Sequence, residues 1–407
     1  MTLERQRSLV RDLARRHMEI ATSEEMEVKA RRWRDTTSGR KPDRCPVWLN
    51  LNACRREVQP LEGLKCEDRF LRDAEDRLRW SLACHDLGDD SVLLPRWTVP
   101  AAVHFEGKHR YGVPFNRIEP TIKGGAWAYD PPIHNEKELD KLTDPRWHHD
   151  EEETVRRRER AQDLLGDIMP VEAVCGPNAN AMLDNLASSL VGMDKLMLFL
   201  AIDKPLVHRL MAYLRDTALS AMAQIEAMGV LTENNDGPKH FSDSLRKTPP
   251  GQPLKASDLW IWTNSQNFEL VGPDQWREFL LEYQRPILER FGATSYGCCE
   301  NLTRKIDGVL TIKNLRIFVN SPWTRLEATA PRCAERGLCI EWRQLATDIM
   351  LTPDFDLIEK KLRSGLEITK GVNRFIILQE VQSVENDLPR FKRWVELAIR
   401  LCEENAA

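Results

Sequence analysis

Residues 294–302 read TSYGCCENL and place a phenol, two thiols and a carboxylate within five positions: Tyr296, Cys298, Cys299 and Glu300. A thiolate is a nucleophile and a ligand for soft metals. Two thiols together can exchange with a disulfide, and free cysteine is also a common core residue. The stretch is a metal site, a redox pair or the buried end of a strand. Alternate residues of a strand share a face, so a regular strand would put Tyr296, Cys298 and Glu300 on one side and Gly297 and Cys299 on the other. That line would supply a proton donor, Tyr296, with Cys298 and Glu300 as metal ligands.

A second cluster lies in LTENNDGPKHF at 231–241, where Glu233, Asn234, Asn235 and Asp236 precede His240. It forms either a turn with side-chain caps or a binding rim. No histidine follows position 240, so the imidazole for a site shared with Cys298 is expected from His240. The expected catalytic groups are Tyr296, Glu300, His240 and Asp236, and the expected zinc ligands are Cys298, His240 and Glu300. His148-His149, in an acidic run, is expected to be a solvated loop.

These residues need a scaffold. Apolar runs recur at 46–52, 91–94, 168–175, 229–234, 293–298, 316–320, 338–342 and 375–381, mostly separated by long amphipathic segments. Repeated βα units imply a parallel sheet, and eight of them predict a (β/α)8 TIM barrel with its active site at the C-terminal ends of the strands. Residues 1–43 form an N-terminal helical extension, with Thr22 or Ser23 as a helix cap, and 44–407 form the barrel. The long early spacings predict loop insertions over the barrel mouth. By position at strand ends, Asn50, Asn52, Arg55, Arg96, Trp97, Asn234, Arg343 and Glu380 are expected to bind substrate or cofactor. The tryptophans of DLWIWTNSQNF at 258–268 are expected on the approach to a helix, as a docking lip or as packing.

The 407 residues are 42% hydrophobic and 30% charged, with a formal net charge of −4. This balance gives no reason to expect nucleic acid or an anionic membrane as partner. The longest apolar run, LMLFLAI at 196–202, is too short to span a bilayer. With no apolar leader at the N-terminus and ten cysteines lacking any CxxC spacing, a cytoplasmic protein with reduced thiols is expected. There is no GxGxxG, no Walker loop and no HExxH; KGGAW at 123–127 is a bare turn signal.

PVWLNLNACRRE at 46–57 resembles the segment that opens the barrel of uroporphyrinogen decarboxylase. GVLTIKNLRIFVNSPWTRLEATA and GLCIEWRQL are similar to later strand-and-turn segments of the same superfamily, which includes corrinoid-dependent methyltransferases. The resemblance runs from about residue 44 to the end and rests on order and spacing, since each motif is degenerate. The decarboxylases hold substrate carboxylates with arginines and pyrrole nitrogens with an aspartate. Here Leu51 occupies the first arginine position, Arg55 the second, and Arg96-Trp97 the place of the aspartate, which speaks against that substrate. Thiol-methylating members carry a His-x-Cys zinc motif in the fifth strand, where this chain has Tyr296 and Cys298, and a last cysteine where it has Gln379 and Glu380.

The resemblance therefore implies the other branch: a methyltransferase that takes a methyl group from a small, methoxylated aromatic donor and passes it to the cobalt of a corrinoid (cobalamin) on a partner protein. The protein must then improve the leaving group, by a general acid or a zinc ion. Homodimerisation is the habit of the superfamily. A lyase acting on a non-porphyrin acid, gripped by Arg55, Arg96 or Arg343, is the alternative. A silent barrel that binds a corrinoid or tetrapyrrole is the third reading.

Overall fold

The computed structural model describes residues 1–122, 125, 127–351 and 353–406. The chain is α/β. Eight short parallel strands follow one another along it: β1 (Val47–Leu49), β2 (Trp97–Pro100), β3 (Val171–Val174), β4 (Trp260–Thr263), β5 (Ala293–Tyr296), β6 (Leu315–Asn320), β7 (Cys339–Gln344) and β8 (Arg374–Leu378). Six of them form one sheet in the order β1-β8-β7-β6-β5-β4, and β2 pairs with β3 as a separate two-stranded sheet. Among the described residues no backbone ladder joins the two sheets, so the closure expected from eight βα units is not seen.

Two of the expected strands lie elsewhere. The run 91–94 ends at Pro95, and the strand forms beyond it, at Trp97–Pro100. The run 229–234 is irregular, because Gly229 ends the preceding helix in the left-handed region, φ 70°. The fourth strand is Trp260–Thr263, so the tryptophans expected on a helix approach are strand residues. Part of the KGGAW turn, Lys123, Gly124 and Ala126, lies outside the described residues.

Side chains take over where the ladders stop. Along the free edge of β1, the Val47 N–H donates to Asp90 Oδ2 at 2.7 Å and the Leu49 N–H to Asp89 Oδ2 at 2.7 Å, while the Asp90 N–H returns to the Val47 carbonyl at 2.9 Å. Along the free edge of β4, the Asn234 amide bridges both backbone groups of Trp260, at 2.8 and 2.9 Å. The Thr232 N–H reaches the carbonyl of Cys175, just beyond β3. These bonds give the edge groups of Val47, Leu49, Cys175 and Trp260 partners outside the ladders.

Strand alternation sorts the core. Trp260, Ala293, Ile317, Cys339 and Phe375 form one cluster on one face, and Ile261, Tyr296, Phe318, Ile340 and Ile376 belong to the large cluster packed against the helices. The first face is capped by the helix Glu24–Thr37, whose Ala30 and Trp33 join its cluster; the Trp33 ring meets Phe375 edge-on at 5.0 Å. That helix starts at the Ser23 cap, with Glu24, Glu25 and Glu27 in its first turn, as expected. The segment 1–43 is tied to the edge of β1, where Arg32 pairs with Asp90 and Trp33 Nε1 donates to the Asp90 carbonyl. The expected insertions are two antiparallel ribbons, Val103–Phe105 with Trp147–His149 and Asn116–Ile118 with Ala128–Asp130. His148 and His149 are therefore ribbon residues and not a solvated loop.

Among the described residues no single helix is long and apolar enough to cross a membrane.

Candidate functional site at the C-terminal ends of β5 and β7

The strand β5 stops at Tyr296, and Gly297 turns the chain at φ 116°, a conformation open to glycine and strained for other residues. A Cβ there would also stand 2.9 Å from Leu302 Cδ1 and from Val319 Cβ. The turn removes the alternation that a continuing strand would impose. Cys298 and Cys299 are not on opposite faces: their sulfurs lie 3.7 Å apart and both meet Arg343 Nη1, at 3.5 and 3.7 Å.

Arg343 arrives from β7, two residues after Glu341 and on the same face. Its Nε donates to Glu341 Oε1 at 2.6 Å, and Lys239 Nζ donates to the same oxygen at 2.9 Å. Four groups thus alternate in charge: Lys239, Glu341, Arg343 and the thiol pair. Burial pushes the Glu341 carboxyl up, and Lys239 and Arg343 more than offset it, so it lies below its ordinary range. The hydrogen bond from Cys299, with the Arg343 charge behind it, brings the Cys298 thiol down to about 6 against burial. The same bond, with burial, pushes Cys299 up. Both sulfurs thus face one guanidinium, which favours the charged form of Cys298.

Below the turn, Glu300 is fully buried and accepts from the Ser265 N–H at 2.7 Å, the Ser265 hydroxyl at 3.1 Å and the Cys298 N–H at 2.9 Å. Its Oε2 holds the Cys298 N–H and its Oε1 holds Ser265, so the carboxylate ties the turn that carries the thiols to the segment after β4. Tyr296 faces away, toward the helices. Its hydroxyl donates to Gln284 Oε1 at 2.9 Å beside Trp276, and burial raises it well above the ordinary phenol range. The expected line of Tyr296, Cys298 and Glu300 is thus broken into an anchor on each side of the thiol pair.

The remaining expected residues disperse. His240 stacks on Trp260 at 4.8 Å, nearly parallel, with Nε2 buried and unpaired; burial lowers it to about 4, so the ring is neutral. Asp236 pairs with Arg96, which also meets Glu172 at 3.1 Å, along a separate cleft of about 850 Å3. Asn234 is the bridge to Trp260. Asn50 and Asn52 close a turn, with Asn50 Oδ1 accepting from the Asn52 N–H, and Asn52 Oδ1 accepts from Trp80. Arg55 is bound to Asp76 at 2.8 Å over the Trp80 ring. Trp97 turns outward into the cluster formed with helices Leu3–Ala21 and Arg69–His85, and carries Arg77 on its ring at 3.8 Å. Glu380, just beyond β8, is exposed at φ 61°, and its charge adds to the upward push on Cys299.

Of the expected residues, the structure brings together Cys298, Arg343, Glu300 and Glu380. Cys299, expected on the opposite face, joins them, and Glu341, Lys239 and Ser265 join unannounced; the alternation Cys339, Glu341, Arg343 in one strand was the available signal for Glu341. The zinc set of Cys298, His240 and Glu300 does not assemble: among the described residues no three of histidine, cysteine, aspartate or glutamate converge as metal ligands.

Beside Arg343 opens a cavity of about 530 Å3, lined by Ser321, Trp323, Arg325, Gln344 and Lys360 among others, a size suited to a small molecule. The arrangement is that of an α/β chain in which two thiols meet a guanidinium at the C-terminal ends of its parallel strands, and the cavity is lined by Arg343 but by neither Cys298 nor Cys299. No family model matches the chain, and no curated protein matches it either.

Proposed function

We propose that this chain is an enzyme of group transfer, a methyltransferase that moves a methyl group from a small methoxylated aromatic donor to the cobalt of a corrinoid protein. The observation that carries this reading is the contact of Cys298 and Cys299 with Arg343, at the strand position where the resembling methyltransferases keep their reactive cysteine. The resemblance of PVWLNLNACRRE and of the later strand segments supports the same superfamily. On this reading the eight parallel strands are the staves of one barrel whose two seams are closed by Asp89, Asp90, Thr232 and Asn234, and the active site lies at its C-terminal mouth.

The cavity beside Arg343 suits an aromatic ring, with Trp323 as a stacking surface and Arg325 and Lys360 for an anionic substituent. The chemistry at cobalt belongs to the corrinoid. What falls to this chain is to position the donor and to hold charge at its leaving oxygen, next to Arg343. Against the lyase alternative stand the ion pairs of two of its three nominated grips: Arg55 is held by Asp76, and Arg96 by Glu172 and Asp236.

The test is formation of methylcobalamin from cob(I)alamin across a panel of methoxylated aromatic acids. Turnover that falls at least tenfold in Cys298→Ser and in Arg343→Met, with folding retained, supports the reading. Release of carbon dioxide from an acid without any methyl transfer would replace it with the lyase.

A further inference from the structure

We propose that Cys45 and Cys402 form a redox site, which a small hydroperoxide closes to a disulfide. The site lies at the N-terminal ends of β1 and β8, whereas Cys298 and Arg343 lie at the C-terminal ends of β5 and β7. It therefore stands apart from the methyl-transfer reading.

The first argument is proximity. Cys45 stands two residues before β1, and Cys402 belongs to the last helix, Leu388–Glu404. The two side chains are within hydrogen-bond reach, with the Cys402 thiol donating to the Cys45 sulfur, and both belong to the large apolar cluster. A disulfide asks for α-carbons ~4.4–6.8 Å apart. The neighbours Cys298 and Cys299, about 3.8 Å apart at their α-carbons across a trans peptide, fall short of that span. A pair drawn from two elements is under no such limit.

The second argument is charge. Arg374 opens β8 and its Nη1 donates to the carbonyls of Thr369 at 2.8 Å and Val372 at 3.1 Å, so these partners leave its charge in place. Its own carbonyl lies 3.2 Å from Cys45 Sγ, and Arg44 is the residue before Cys45. Burial pushes the Cys45 thiol up, and the hydrogen bond from Cys402 with the charges of Arg374 and Arg44 more than offsets it, so the thiol lies below its ordinary value. The same bond, with burial, pushes Cys402 up. One sulfur is thus drawn toward the reactive thiolate and its neighbour keeps its proton, the division found where an oxidised cysteine stands next to a resolving one.

The third argument is access. Cys45 and Cys402 are only 8% and 1% exposed, yet both line a cavity of about 420 Å3 together with Lys41, Arg44, Lys370 and Arg374. Hydrogen peroxide fits such a recess, and a protein disulfide does not.

The step balances. The Cys45 thiolate attacks one oxygen of the hydroperoxide, the O–O bond breaks, and the departing hydroxide takes up the proton that Cys45 released. Cys45 is then a sulfenic acid. The Cys402 sulfur attacks it, the S–O bond breaks, and a second water leaves with the Cys402 proton. Two thiols give two electrons to the peroxide and one S–S bond forms.

The experiment treats the reduced full-length chain with equimolar hydrogen peroxide, alkylates the remaining thiols and maps non-reduced peptides by mass spectrometry. The expected product is a peptide linked through Cys45 and Cys402 that dithiothreitol separates. In Cys402→Ala, dimedone is expected to trap a sulfenic acid at Cys45, and in Cys45→Ala no adduct is expected at Cys402. The proposal is overturned if Cys45 links to Cys339 in place of Cys402, or if both thiols remain open to alkylation after unfolding while Cys298 is oxidised. Dimedone that reports Cys298 but never Cys45 in Cys402→Ala overturns it as well.

Discussion

Arg343 Nη1 stands 3.5 Å from Cys298 Sγ, while its Nε is committed to Glu341 at 2.6 Å. One guanidinium therefore joins a buried carboxylate to an accessible sulfur. Because its thiol is drawn down to about 6, Cys298 gains thiolate as pH climbs through that value, well below the ~8.5 of a free cysteine. Iodoacetamide is expected to label Cys298 ahead of every other cysteine at pH 7, with a rate inflection that moves upward in Arg343→Met. A profile identical in the two proteins would remove Arg343 from the account.

Lys239 lies on a loop, 102 residues from its partner Glu341. Replacing it with methionine leaves a fully buried carboxylate with one cation where it had two. A loss of about 1–3 kcal/mol is expected in urea denaturation, the range for removing a charged hydrogen-bond partner from a buried group. Lys239→Arg is expected to restore most of it.

Asp184 carries the clearest pH signature. It is fully buried, with one oxygen bonded to the Asn267 N–H and the other unpaired, and burial pushes its carboxyl from 3.8 up to about 7, Glu300 adding to the shift. Between those values the folded protein keeps a proton that the unfolded chain has released, so this group's contribution to stability falls as pH rises through the window and is fully lost above 7. Asp184→Asn is expected to melt several degrees above the parent at pH 8, with the gap closing toward pH 4. Melting curves across that range decide it; a gap that widens in acid contradicts the assignment.

Along the free edge of β4, Asn234 supplies the donor and the acceptor that a neighbouring strand would otherwise bring to Trp260. Asn234→Ala is expected to cost about 1–3 kcal/mol, since two buried backbone groups lose partners. Hydrogen exchange at the Trp260 amide should quicken more than at its ladder-bonded neighbours, and equal protection in both proteins would show that the bridge is dispensable.

Much of the scaffold was legible from apolar runs. Six of the eight expected runs contain or closely overlap a strand, and their order placed Cys298 and Arg343 at strand ends. What failed did so for local reasons. The run at 229–234 has strand-like composition but follows a left-handed Gly229 and pairs through side chains, so hydropathy alone could not tell it from β4. The parity argument that separated Cys298 from Cys299 assumed that the strand continued, and Gly297 ends it. Lys239 and Glu341 meet only through the fold. Asn50, Asn52 and Asn234 looked like ligand-binding amides because a turn, a seam and a binding rim all call for the same residue type.

The aspartates along β1 have a consequence for the first 43 residues. Asp90 answers to the Val47 N–H, to Arg32 and to Arg44 at once, and Trp33 Nε1 donates to its carbonyl. The helix Glu24–Thr37 is therefore a rivet at the edge of β1. A chain trimmed to begin at residue 44 would take Arg32 and Trp33 from Asp90, leaving its carboxylate to Arg44 and the Val47 N–H, and would uncover Phe375, so these helices fasten the edge strand that they cover.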